Sequence, residues 1–321
     1  MPSRFREADL TRVRTVSMDE RQSSVSVNSF AAPVALGPGV DALLGAIPDL
    51  FGGRDFRAAV QAIAASAGAR RPVLAMFGAH FVKCGLSRLL IDLMERGVVT
   101  AVATNGAGAI HDAEIGMWGR TSEDVGRGLE DGSFGMCRET ADLMNGAAAR
   151  GRSQGWGLGE SVGAALCDAG APHRGASIAA RAHDLGIPFT VHVALGTDIV
   201  HEHPSADGAA IGDTTLRDFR ILTQVVCDIP GGVVLNLGSA VVLPEVFLKA
   251  LAVARNLGLA KGPFTTLSVD MNDPYRARVN VVTRPTKQLG MGIALRGLHE
   301  LTFPLLWAGV VRAMARGGDG R

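Results

Sequence analysis

Residues 72–108, PVLAMFGAHFVKCGLSRLLIDLMERGVVTAVATNGAG, decide the fold. Pro72 to Phe77 is a short apolar run of strand length, and Leu86 to Arg96 has the three-and-four spacing of an amphipathic helix. Gly97 closes that helix, because a residue without Cβ tolerates the left-handed backbone of a helix end. Val98 to Ala103 is a second apolar run. Strand, helix and strand in succession form one βαβ unit, and runs without polar alternation mark strands buried on both faces.

The same alternation extends in both directions. Upstream, Leu43, Leu44, Ile47 and Leu50, then Phe56, Val60 and Ile63, predict two helices between Val40 and Ala67. Downstream, 121–150 reads as mostly helical with Thr121 or Ser122 as N-cap, followed by helices over 158–169 and 174–185. Phe189 to Ala194 reads as a strand, Thr215 to Cys227 as a helix and Gly232 to Leu237 as a strand. Pro244 to Asn256 then reads as a helix, Thr265 to Asp270 as a strand and Phe303 to Ala315 as a final helix. The fold class is α/β: a Rossmann-like parallel sheet with helices on both faces. Residues 1–40 are expected to be an arm, flexible or lying on a neighbouring subunit, with one domain over 41–316 and a tail over 317–321.

Charge and composition narrow the function. Lys plus Arg number 32 against 31 for Asp plus Glu, so no basic surface for nucleic acid is expected. The longest apolar runs, such as Gly231 to Val242, fall short of the roughly 18 residues that span a bilayer, and no membrane segment is expected. Residues 1–22 are polar and charged, unlike a signal peptide, and Cys84, Cys137, Cys167 and Cys227 are scattered. Reduced thiols in a cytoplasmic protein are the expectation.

Parallel sheets bind ligands at the carboxyl ends of their strands, which directs attention to four loops rich in glycine and small polar residues. These are 78–85, 104–108, 196–198 and 238–240. Glycines let a cofactor approach the backbone, and free amides at a following helix start hold a pyrophosphate. Acidic residues and histidines follow two of the loops: His111, Asp112 and Glu114, then Asp198, His201, Glu202, His203, Asp207 and Asp213. Asp112 and Asp198 are candidates to face a polar or cationic group. His201 and His203 lack the spacing and the third ligand of a metal site, so none is expected. Cys84, before a helix start, is the best placed of the thiols.

The order of these motifs resembles the deoxyhypusine synthase family over about residues 40–315. Val99 to Gly108 with Asp112 resembles its apolar strand, Thr-Ala-Gly-Gly turn and acidic residues. Ile187-Pro188 to Asp198 is similar to its Ile-Pro…Asp-Gly element, and Gly238-Ser239-Ala240-Val241-Val242 to its Gly-Gly-Gly-Val-Val loop. Phe303-Pro304-Leu305-Leu306 matches its Phe-Pro-Leu-Leu. The resemblance implies NAD as cofactor, lying over Lys83, Cys84, Gly85, Gly106, Ala107, Gly108, Asp198, Gly238 and Ser239. It implies a small amine such as spermidine near His111 and Asp112, aminoalkyl transfer through a lysine imine, and a homotetramer. Two departures stand out. The family's Trp-Gly-Lys registers with Met291-Gly292-Ile293, leaving Lys287 as the candidate nucleophile, and its substrate-side histidine registers with Pro244-Glu245, which makes Glu245 the candidate contact there. The loops 78–85 and 106–112 also look like the NAD-binding domain of bifunctional arginine dihydrolase and ornithine cyclodeaminase enzymes. That likeness implies NAD-dependent deamination and cyclisation of an amino acid. A nucleotide-binding subunit without catalysis is the remaining expectation.

Overall fold

The structure is a computed structural model that describes residues 39–318. The expected arm therefore lies outside the described residues except for its last two positions, which open the first helix. Helices α1 (Val40–Ala46) and α2 (Phe51–Gly68) precede β1 (Val73–Phe77). Two helices, α3 (Ala79–Lys83) and α4 (Ser87–Glu95), lead to β2 (Ala101–Asn105). A long crossover carries α5 (Gly106–Trp118), α6 (Val125–Asp131), α7 (Arg138–Gln154), α8 (Leu158–Asp168) and α9 (Ile178–Leu185) to β3 (Phe189–His192). Then come α10 (Gly208–Cys227), β4 (Val233–Leu237), α11 (Val242–Asn256) and β5 (Thr265–Asp270). Helix α12 (Tyr275–Ala277) runs into a π-helical turn over Arg278–Thr283, and β6 (Met291–Arg296) and α13 (His299–Gly318) complete the order.

All six strands are parallel, in the order β3-β2-β1-β4-β5-β6. The period-two geometry of a strand divides the core. Val73, Ala75, Phe77, Val102, Leu235 and Val269 face one apolar layer, whereas Leu74, Met76, Ala103, Val234, Leu243 and Phe247 face the other. Full burial of such side chains contributes about 1.5–3 kcal/mol each, and β1 is wholly apolar, while Thr104, Asn236 and Ser268 on the other central strands are hydrogen-bonded. Phe81 stacks on Phe77 at 5.5 Å and meets Phe303 edge-on at 4.9 Å, locking α3 and α13 to the carboxyl end of β1.

Four local expectations are corrected. The stretch 121–150 is two helices, broken where Gly132 and Gly135 take left-handed backbone, and its first N-cap is Asp124, whose carboxylate accepts from Arg127 N at 3.1 Å. The loop expected over 78–85 contains α3. Helix α10 begins at Gly208, seven residues before the expected start, because Asp207 caps it through Ala209 N. Met291 to Arg296 forms the edge strand β6, in register with β5 from Thr265↔Met291 to Asp270↔Arg296.

Candidate functional site

The strand order reverses between β1 and β4, and the turns leaving these two strands touch. Gly78 N donates to Leu237 O at 3.0 Å, and a methyl group at Gly78 would come within 2.6 Å of Gly238 O. Gly238 has φ +71°, and a methyl group there would meet His299 Nε2 at 2.4 Å. Only glycine fits both positions, so backbone faces backbone at the crevice where doubly wound sheets bind ligands. Beneath the turn, Asn236 Nδ2 donates to Ser239 O at 3.0 Å and to Ser268 Oγ at 3.1 Å. Ser239 Oγ accepts from Leu243 N at 3.2 Å, while Ala240 and Val241 remain exposed at the start of α11.

His299, the first residue of α13, is 1% exposed; among the described residues neither ring nitrogen has a hydrogen-bond partner, and Nδ1, unlike Nε2, is fully buried. Burial holds this imidazole below its ordinary pKa, Asp270 opposes that, His80 reinforces it and Glu300 opposes it. The His80 ring lies 6.2 Å away. Cys84 Sγ is 3.6 Å from Glu300 Oε2, and burial together with Glu300 raises the thiol's pKa. The thiolate favoured at a helix start is therefore opposed here.

The β2–α5 turn differs. Asn105 Oδ1 caps α5 through Gly108 N at 2.9 Å, and a methyl group at Gly106 would lie 1.8 Å from Asp198 Oδ2. The buried Asp198 carboxylate accepts from Ala107 N, so the start of α5 already holds an internal anion. Burial raises the Asp198 pKa against the opposing pull of His201, Thr197 and Ala107. His201 Nδ1 accepts from Gly196 N at 3.2 Å and Asp198 N at 3.3 Å, which orients the loop. His203 Nε2 lies 2.8 Å from Gly135 O.

Asp112 is fully buried and caps α9: it accepts from Ser177 Oγ at 2.7 Å, Ile178 N at 2.7 Å and Ala179 N at 2.9 Å. Burial nevertheless lifts its pKa to about 6. Both carboxylate oxygens are thus spent on α9. His111 Nδ1 donates to Thr121 Oγ1 at 2.6 Å, Thr121 donates to Glu114, and Thr140 Oγ1 donates to Glu114 Oε1 at 2.9 Å. Burial lowers the His111 pKa; Glu114 opposes this and the nearby exposed Lys83 adds to it. Gly85, left-handed at φ +74°, ends α3. Glu245 pairs with Lys249, with Arg276 at 3.3 Å and with Asn280 Nδ2 at 2.8 Å. The structure does not bring Lys287 to these residues. It is exposed in the segment before β6, at the amino edge, a strand's length from the carboxyl-end turns.

At the carboxyl ends of β5 and β6, Asp270, Asp273, Arg278 and Arg296 line a cavity of about 190 Å³. Asp270 and Arg296 are cross-strand partners, and Asp273 pairs with Arg278 at 3.0 Å. Sequence reading missed these four and His299 and Glu300, and it singled out the 78–85 loop without naming His80 as a candidate. The local signals were the strand end at Asp270 and the proximity of His299 to Phe303-Pro304.

No protein-family model matches the chain, and no curated protein sequence matches it. Solved structures do. AgrE, in its ternary complex with ornithine and NAD+, is 14% identical with a TM-score of 0.51, over 84% of this chain and 34% of AgrE. This chain therefore spans about a third of AgrE's length. A protein assigned as a deoxyhypusine synthase from Entamoeba histolytica is 12% identical with a TM-score of 0.51, over 86% of this chain and 94% of that one. The fold is deoxyhypusine-synthase-like. A conserved LOR/SDH-type protein from Methanococcus maripaludis S2 shares it, at 14% identity and a TM-score of 0.50, over 81% of this chain and 70% of that one. At such identities the likeness is one of architecture. Among the described residues, no helix is long and apolar enough to cross a membrane.

Proposed function

We propose that the chain is an NAD-dependent enzyme that oxidises a small amine-bearing substrate at the carboxyl edge of its sheet. The observation that carries this reading is the glycine contact at the switch point. Gly78 and Gly238 meet without side chains, and the buried His299 beside them has no hydrogen-bond partner among the described residues. These features suit a dinucleotide that lies on backbone, with Gly78, Gly238 and the 239–241 turn as the residues that would hold it. Bound NAD supplies a hydride acceptor. Asp198 stands at the start of α5 where a second phosphate cradle would be, so the pyrophosphate is assigned to the β4–α11 turn.

The chain's own groups then bind and orient the substrate. The cavity beside Asp270 and Arg296 offers both charge signs at the ends of adjacent strands. A carboxylate-bearing amine, such as an amino acid, complements that pair better than a polyamine, which presents cations alone. This favours the deaminase-type alternative over aminoalkyl transfer. Imine transfer also needs a lysine at the carboxyl edge. Of the four lysines in the sequence, Lys261 and Lys287 precede strands, and Lys249 is held by Glu245. Lys83, at the end of α3, is the remaining candidate. Assembly into a homo-oligomer, tetrameric in the resembled family, belongs to the same proposal.

Calorimetric titration with NAD tests the cofactor, and a screen of ornithine, agmatine, putrescine and spermidine for NADH absorbance tests the substrate. Ornithine turnover with ammonia release is the expected result; spermidine turnover alone would restore the aminoalkyl-transfer reading. No NAD binding by folded protein at millimolar cofactor sinks the proposal.

A further inference from the structure

The buried histidine at the switch point has a task that its packing does not explain. At 1% exposure, His299 has a fully buried Nδ1 without a hydrogen-bond partner, and its Nε2, which is not fully buried, has no partner among the described residues either. Its Nε2 edge lies directly against the Gly238 backbone, close enough that any side chain at Gly238 would collide with it.

We propose that His299 Nε2 reads the carboxamide of a nicotinamide ring laid over the Gly238 turn. The inference rests on the NAD reading above and goes beyond it by assigning the contact that recognises the reactive end of the cofactor. Placement supports this end and not the adenine end. The charged cavity beside Asp270 and Arg296 opens at the ends of β5 and β6, on the β4 side of the reversal in strand order. A ring that exchanges hydride with a substrate in that cavity lies on the same side. Chemistry supports it as well. Burial and the neighbouring His80 keep the imidazole neutral, so Nε2 either donates or accepts according to the tautomer, and a carboxamide offers a partner to either form. Around the ring, Asp270 and Glu300 from the flanking segments oppose the neutral form, His80 favours it, and the Cys84 thiol next to Glu300 stays protonated.

The test compares NAD with ADP-ribose, which keeps the pyrophosphate and lacks the nicotinamide ring, by calorimetry on the full chain. Wild type is expected to bind NAD roughly tenfold more tightly than ADP-ribose, the worth of one good hydrogen bond. His299→Leu abolishes that preference and leaves ADP-ribose affinity unchanged. His299→Gln places an amide near the Nε2 position and retains the preference, whereas His299→Asn, whose amide reaches only the Nδ1 position, loses it. Thermal melting of each variant reports folding separately. Equal loss of both ligands in His299→Leu, or unchanged preference, overturns the inference while the cofactor reading stands. Wild type that binds ADP-ribose and NAD equally overturns it in the same way. Wild type that binds neither overturns both.

Discussion

Two turns at the same edge of the sheet are built from the same kinds of residue and differ in what their glycines make room for. At the β2–α5 turn, Gly106 admits the Asp198 carboxylate, which takes the Ala107 amide at the start of a thirteen-residue helix. At the β1/β4 reversal, Gly78 and Gly238 admit each other's backbone and the edge of His299. One turn is filled by an internal anion, and the other is lined by a histidine without a hydrogen-bond partner among the described residues. Glycine content alone therefore does not mark a nucleotide site. What distinguishes the β1/β4 turn is that its histidine lacks hydrogen bonds among the described residues.

The largest effect should come from the glycines. In Gly238→Ala the new methyl meets His299 and the residue must hold φ +71°, a strain of about 1–2 kcal/mol. NAD affinity should fall by about tenfold or more, with circular dichroism unchanged. Gly106→Ala presses on the buried Asp198 instead, so its effect should register in the melting temperature. Folded Gly106→Ala without NAD binding, alongside normal binding by Gly238→Ala, would move the site to the other turn.

The anion-filled side should also reveal itself through pH. Near β3, Asp218 caps α8, accepting from Gly159 N at 2.9 Å and Val191 N at 2.8 Å, and burial raises its pKa to about 7. Asp112 is raised to about 6, and buried His192 is lowered to about 3. From about pH 4 to 7 the unfolded chain releases carboxyl protons that the folded chain retains, so these two aspartates make stability fall as pH rises. His192 acts oppositely: below about pH 6.5 the unfolded chain takes a proton that the folded chain refuses until about pH 3, so stability falls as pH drops through that window. Urea unfolding of Asp218→Asn should show stability relative to wild type growing by a few kcal/mol between about pH 4 and 8. A difference independent of pH would refute the assignment.

A smaller change sharpens the same contrast. Asp198→Ala strands the Ala107 amide and should cost about 1 kcal/mol, the usual loss of a helix cap, while NAD affinity stays within about twofold. Asp198→Asn keeps an acceptor and should cost less. A large gain or loss of affinity in either variant would show that α5, and not the β4–α11 turn, faces the phosphates.

Much of the architecture was legible because β1 and β4, at the centre of the sheet, are buried on both faces and read as nearly continuous apolar runs. Edge strand β6 was not: Ile293 and Leu295 are buried, the residues between and around them are exposed, and a register against the resembled family's lysine motif concealed the strand. The glycine turns were legible as a set, but which of them an internal carboxylate fills was not. Asp198 reaches Gly106, and His299 reaches Gly238, across long stretches of chain, so neither contact leaves a local pattern. Asp112 shows the same limit, since an acidic residue beside a glycine turn reads alike whether it meets a ligand or caps a helix.

Lys287 provides the smallest expected effect and the clearest separation between a motif register and a position in space. In a parallel sheet every residue that enters a strand from a loop lies at the amino edge, and Lys287 enters β6. A side chain of about 6 Å cannot cross a six-residue strand that advances about 3.3 Å per residue. Lys287→Ala should therefore leave NAD affinity and any amine turnover unchanged. Lys83→Ala, which alters the group beside His111 and Cys84 at the carboxyl edge, should lower turnover more than it alters cofactor binding. Loss of turnover in Lys287→Ala with Lys83→Ala unaffected would require a second subunit to carry its amino edge to this site, and the comparison of the two turns within one chain would then be incomplete.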